Sequence, residues 1–298
     1  MRILYGIASN NIDVTEICNE QLKYDNHIII PAGDVERATV FTDPLPNVLK
    51  SIFIVNNGST VQYHYSSRIS IDINTYTVDE LVDPIRKLQG LQGNLVLHHG
   101  TFTEELPEQK MAIRYLKGTE SVLEIGGNIG RNSLIIASIL KDPSKLVVLE
   151  SDANISEQLK DNRDINGLGF HIEAAALSKR PLIQKGWDTM VSDIVLEGYT
   201  PVSTITYSEL MEKYKIPFDT LVLDCEGAFY YILQDMPEIL EGIHLIIMEN
   251  DYKEGSHKEY IDDVLKKNNF YVDYAEAGGW WWDPCPCRNN FFEVWKRV

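Results

Sequence analysis

From Ser121 onwards, short apolar runs alternate with stretches of helical periodicity, and few folds accommodate that pattern. Strands are expected at Ser121 to Ile125, Lys145 to Glu150, Phe170 to Ala174, Asp219 to Asp224 and His244 to Glu249. Helices are expected at Asn132 to Leu140, Asn154 to Ile165, Tyr207 to Tyr214, Phe229 to Leu240 with a break near Pro237, and Lys258 to Asn268. Strands alternating with helices of this length imply a parallel sheet covered on both faces. Phe270 to Ala275 and Phe291 to Trp295 have no helix between them, so they are expected to close the sheet as an antiparallel hairpin. This predicts an α/β fold with a mixed sheet.

The first 75 residues have a different texture. Ile28 to Ile30, Ser51 to Val55 and Val61 to Tyr65 are short β-rich runs, separated by turn signals at Pro31 to Asp34, Asp43 to Pro46 and Asn56 to Ser59. The last of these reads as a hairpin with Gly58 at the left-handed position. A small all-β domain is expected over residues 1–75. A helical linker is expected over 76–105, with its apolar face at Leu81, Val82, Ile85 and Leu88. The main domain is expected over 106–298.

Asp and Glu number 44 against 27 Lys and Arg, giving a net charge of −17. That field repels phosphate backbones and anionic membranes, so neither nucleic acid nor a membrane is an expected partner. No run approaches the roughly 20 apolar residues of a membrane helix, and the start does not read as a signal peptide. Four cysteines without paired spacing (Cys18, Cys225, Cys285 and Cys287) predict neither a zinc site nor a disulfide framework. They fit a reducing, cytoplasmic setting.

Chemistry concentrates at strand ends, where open α/β sheets bind ligands. The first strand ends in Glu124, then Gly126, Gly127, Asn128 and Gly130, and a helix follows. The glycines allow close backbone approach to a ligand, and Glu124 is suited to a cationic group. About twenty residues on, the second strand ends in Glu150 and Ser151, where a carboxylate can accept from both ribose hydroxyls. The G-x-G-x-x-G dinucleotide fingerprint is absent, because Asn128 or Ile129 occupies the place of its second glycine. The fourth strand releases Asp224 and Glu226 two residues apart. One is suited to orienting a cofactor's cationic end, the other to orienting or deprotonating a hydroxyl.

These segments, with Ala175 to Ser178, Val202 to Thr206, Ile247 to Glu249 and Asn290 to Phe292, resemble the FkbM family of methyltransferases over roughly Leu106 to Val298. The resemblance implies a class I, Rossmann-like mixed seven-stranded sheet with helices on both faces. It implies S-adenosyl-L-methionine as cofactor, S-adenosyl-L-homocysteine as product, and O-methylation of a sugar, nucleotide sugar or glycan. By that likeness Glu124 to Gly130 line the methionine end, Glu150 the ribose, and Ala175 and Ala176 the adenine. Asp224 and Glu226 face the transferred methyl. Glu124 stands where the family more often has Asp, and Cys225 where it has Val or Ile. The insertion from Arg180 to Tyr199 has no counterpart in the family pattern. The N-terminal segment resembles small β domains bearing Tyr5-Gly6, Asp13 to Thr15, Asp43 to Pro46 and Lys50, and an oligomer through it is one expectation.

Glu249, Tyr230 and Trp281 are candidates for acceptor contact, the last within Gly278 to Asp283, where an aromatic face can stack on a sugar. No dedicated metal-ligand set is legible, so no metal is expected, although a divalent ion on Asp224 and Glu226 would also acidify a hydroxyl. The alternative activities are methylation of another small molecule or a protein, and NAD-dependent oxidoreduction.

Overall fold

A computed structural model describes the chain except residues 83, 187 and 280–284. It divides into two compact units, Met1–Gln89 and Gly90–Val298.

Among the described residues the first unit holds two four-stranded sheets, two short helices, Thr15–Gln21 and Asp34–Phe41, and the start of a third, Pro84–Gln92. Ile3, Ile28, Ile30, Ile52, Ile69 and Ile71 fill its core. The hairpin at Asn56 to Ser59 joins Ser51–Asn56 to Ser59–Tyr63. The expected helix across Val78 to Leu88 is corrected. Val78–Val82 is a strand paired antiparallel with Ser67–Asp72, and a helix starts only at Pro84. Proline opens a helix readily but drives the residues before it towards extended backbone.

Within this unit Lys50 is buried and its Nζ lies 3.0 Å from Asp34 and 2.9 Å from Asp43. The carbonyls of Leu45 and Val48 also accept from it, so four oxygens share its three protons, and the Tyr5 hydroxyl donates to Asp34. Tyr5, Asp43, Leu45 and Lys50, noted separately along the sequence, therefore form one polar cluster.

The second unit is built on seven strands: β1 (Val122–Ile125), β2 (Leu146–Leu149), β3 (His171–Glu173), β4 (Thr220–Leu223), β5 (Leu245–Glu249), β6 (Phe270–Glu276) and β7 (Phe292–Arg297). Their spatial order is 3-2-1-4-5-7-6, all parallel except β7, which runs antiparallel to both neighbours. This is the Rossmann-like mixed sheet of class I methyltransferases. Among the described residues six α-helices flank it: α1 (Leu106–Tyr115), α2 (Arg131–Ile139), α3 (Ala153–Ile165), α4 (Tyr207–Tyr214), α5 (Phe229–Asp235) and α6 (Gly255–Lys267).

Strand alternation sorts the core into two layers. Leu123, Val147, Leu221 and Ile246 face α4, α5 and α6, whereas Val122, Val148, Val222 and Ile247 face α1, α2 and α3. Among the described residues no helix is long and apolar enough to cross a membrane.

Candidate active site

The β1 turn is fixed by its neighbour. Gly126 has φ +91°, and a Cβ there would lie 1.6 Å from the Asp224 carbonyl oxygen, so the ends of β1 and β4 touch through bare backbone. Gly127 and Gly130 leave room instead for Val148 and Leu159, at 2.3 and 2.4 Å from a would-be Cβ. They pack the turn onto β2 and α3, a different task from the ligand approach expected of them.

Asn128 takes a left-handed backbone, φ +47°. Its N–H donates to Glu150 (2.8 Å), whose other oxygen accepts the Asp152 N–H at 2.8 Å. Glu150 thereby ties the β1 loop to the β2 loop. Burial nevertheless raises its pKa above the ordinary glutamate range.

A cavity of about 510 Å³ opens at these strand ends, within the range of small-molecule sites. Gly126 and Asn128 line it from β1, and Glu150 and Ser151 from β2. Ala175 and Ala176 line it beyond β3, and Asp224 and Glu226 beyond β4. Eight residues singled out from sequence thus share one wall. The apolar part comes from Leu149, Leu177, Ile232 and Met236.

The insertion closes the far side. Leu182–Lys185 pairs antiparallel with both Asp188–Val191 and Thr200–Val202, forming a three-stranded sheet whose Gln184, Thr189 and Met190 also line the cavity. Arg180 anchors this sheet to α5 through two hydrogen bonds to Asp235, at 2.6 and 2.7 Å. That pairing holds Asp235 below the usual carboxylate range.

Glu124 stands apart. Alternation turns it to the α1 and α2 side, where it is 2% exposed and borders a second, smaller cavity. The Asn132 side-chain amide donates to its Oε1 at 3.3 Å, and its Oε2 accepts nothing among the described residues. Burial lifts its pKa to about 8. Asp224 and Glu249 join it by the same alternation, two residues beyond the paired Val222 and Ile247, which face that side. Burial and neighbouring carboxylates raise both well above the usual range.

Glu249 is not among the residues lining the larger cavity. Nor is Tyr230, which stacks on His257 at 3.8 Å; its neighbour Tyr231 lines the wall instead. Trp281 lies outside the described residues. His98 and His99 sit where their backbone amides donate to Asn162, away from the cavity lining.

Sequence reasoning missed Glu108, Arg180 and Met190; of the adjacent Tyr230 and Tyr231, one of which was expected to reach the site, Tyr231 is the one that does. Glu108 had a signal: it shares the α1 face of Met111 and Ala112 at three- and four-residue spacing, so a carboxylate occupies a core position.

No model of a known protein family matches the chain, and no curated protein matches it. Solved structures similar to it include an O-methyltransferase from Bacillus cereus in complex with SAH (12% identity, 71% of this chain and 89% of that one, TM-score 0.41). A ribosomal protein L11 methylase from Lactobacillus delbrueckii subsp. bulgaricus is also similar (10%, 64% and 78%, 0.39). So is a protein of the NADB-Rossmann superfamily from Streptococcus agalactiae (13%, 65% and 68%, 0.40). Likenesses this distant carry no argument about activity, and the fold stands on the strand order above.

Proposed function

We propose that this chain is an S-adenosyl-L-methionine-dependent methyltransferase that methylates a hydroxyl oxygen of a sugar, nucleotide sugar or glycan, as the FkbM resemblance implies. The observation that carries the reading is the convergence of Asn128, Glu150, Ala175, Asp224 and Glu226, from four successive strand ends, on one cavity of ligand size. Its residues suit the cofactor: a carboxylate at the end of β2 for ribose hydroxyls, apolar wall beside Ala175 and Ala176 for a base, and carboxylates beyond β4 for positive charge.

Bound there, the cofactor supplies a methyl group already activated on sulfur. The chain supplies position. Gly126 and Asn128 hold the loop, Glu150 fixes the ribose, and the Arg180-anchored sheet confines the acceptor. Asp224 and Glu226 orient the acceptor hydroxyl, and one of them takes its proton as the oxygen attacks. Alignment of oxygen and methyl at about 3 Å contributes most of the rate.

Calorimetric titration with S-adenosylhomocysteine, beside NAD, tests the reading. Saturable binding of the former that is lost in Glu150→Ala supports it. Binding of NAD alone removes it.

A further inference from the structure

We propose that the pocket between α1 and the ends of β4 and β5 binds one divalent cation of the oxygen-preferring kind, held by Glu108, Asp224 and Glu249. One carboxylate oxygen from each lies within 4.8 Å of the other two. Two oxygens bound to the same Ca²⁺ are at most about 5.2 Å apart, and about 4.2 Å on Mg²⁺, from their usual bond lengths. The three residues come from separate elements, and strand alternation together with the apolar face of α1 turns them towards one another.

A second observation points to a ligand. The adjoining cavity has a volume of about 10 Å³, room for roughly one water-sized guest. Glu108 and Asn132 border it, and each is only 6% exposed. Glu108 Oε2 and Asn132 Oδ1 have no hydrogen-bond partner among the described residues. An amide oxygen cannot relieve its burial by taking up a proton, so Asn132 needs a donor or a cation facing it. No described residue lining this cavity is basic. The nearby Arg131 is engaged by Glu104, Glu105 and the Thr101 carbonyl. The three charged donors are carboxylate oxygens, with no thiolate or imidazole among the described residues lining the cavity, which favours Mg²⁺, Mn²⁺ or Ca²⁺. Gly126 and Asp224 border both cavities, so the larger one gives access. The inference rests on this cluster alone and does not need methyl transfer.

The test is Mn²⁺ titration of chelator-treated, buffer-exchanged full-length protein, followed by the loss of the free-ion paramagnetic resonance signal, with thermal melts alongside. The expected result is one Mn²⁺ per chain, displaced by Mg²⁺ or Ca²⁺ and accompanied by a raised Tm. Glu249→Gln and Glu108→Gln should each weaken binding tenfold or more and abolish the Tm response. No saturable binding overturns the proposal. Undiminished binding in both variants overturns it too, because the ion then sits elsewhere on a chain of net charge −17. Variants more stable than wild type, with no metal effect on wild type, would show that shared protons settle the cluster. S-adenosylhomocysteine titration of the same stripped protein is read separately, so either idea can fail without the other.

Discussion

Gly126→Ala should destabilise the second unit by about 4 kcal/mol. The new Cβ would lie 1.6 Å from the Asp224 carbonyl oxygen and 2.6 Å from its carbon, and backbone cannot swing aside as a side-chain tip can. The turns after β1 and β4 must separate by about 1.4 Å to reach the 3.0 Å that real contacts respect. That movement loosens three hydrogen bonds: Gly126 and Gly127 N–H to the Leu149 carbonyl, and Asp224 N–H to the Ile125 carbonyl. Each is worth about 1 kcal/mol net. Left-handed backbone at φ +91° adds about 1–2 kcal/mol for an L-residue. For a unit of this size the sum corresponds to a Tm fall of roughly 8–16 °C. Differential scanning calorimetry measures it. Gly58→Ala is the control, because its φ of +79° carries the same backbone cost while a Cβ there meets nothing within 4 Å. If Gly126→Ala lost no more than Gly58→Ala, the backbone contact between the two turns would not be what demands glycine.

Three further outcomes follow from the structure. Lys50→Met should cost about 3–5 kcal/mol in chemical denaturation, because Asp34 and Asp43 lose a cation that is 1% exposed. Arg180→Ala should raise the acceptor KM while leaving the S-adenosylhomocysteine Kd within about twofold, since Arg180 secures the insertion and not the β1 and β2 loops. Because Asp235 is held below the usual range, the stability lost in that variant should be constant above about pH 4, the ordinary Asp value. It should then vanish as pH falls through the folded-state pKa, as melts from pH 7 to pH 3 would show. For Glu150 the sign is reversed. Burial raises its pKa, so acidification should neutralise it, and weaken S-adenosylhomocysteine binding, at a higher pH than for an exposed glutamate. Calorimetry from pH 8 down to pH 4 reads that directly, and an unchanged profile in Glu150→Gln would remove Glu150 from the ribose contact.

Strand periodicity made the seven-stranded sheet readable. A buried parallel strand is a continuous apolar run with few alternatives, so each expected strand lies within a residue or two of its place. Glycine at position 126 and acids at 124, 150 and 224 were legible for a related reason: the ends of parallel strands are where side chains can leave the core. The N-terminal helices Thr15–Gln21 and Asp34–Phe41 were not, because at seven and eight residues they show barely two turns of period. Tyr230 and Tyr231 could not be told apart, since adjacent residues on a helix point about 100° apart and the sequence does not mark which direction is the cavity.

The insertion marks a different limit. Its strands at Leu182–Lys185, Asp188–Val191 and Thr200–Val202 are short and mostly exposed, and they bury too little to leave a periodic trace. What fixes them is remote pairing: Arg180 with Asp235, 55 positions away, and Ala176–Leu177 beside Thr204–Ile205. The same holds for Glu108, Asp224 and Glu249. Each taken alone is an acidic residue at a helix face or strand end. Only the sheet order, which sets β4 beside β5 with α1 packed across them, makes them neighbours. A ligand-sized cavity follows from local rules at strand ends, whereas its specificity depends on contacts that only the topology creates. Substitutions in the insertion should therefore redirect acceptor choice while leaving the fold and the cofactor wall intact.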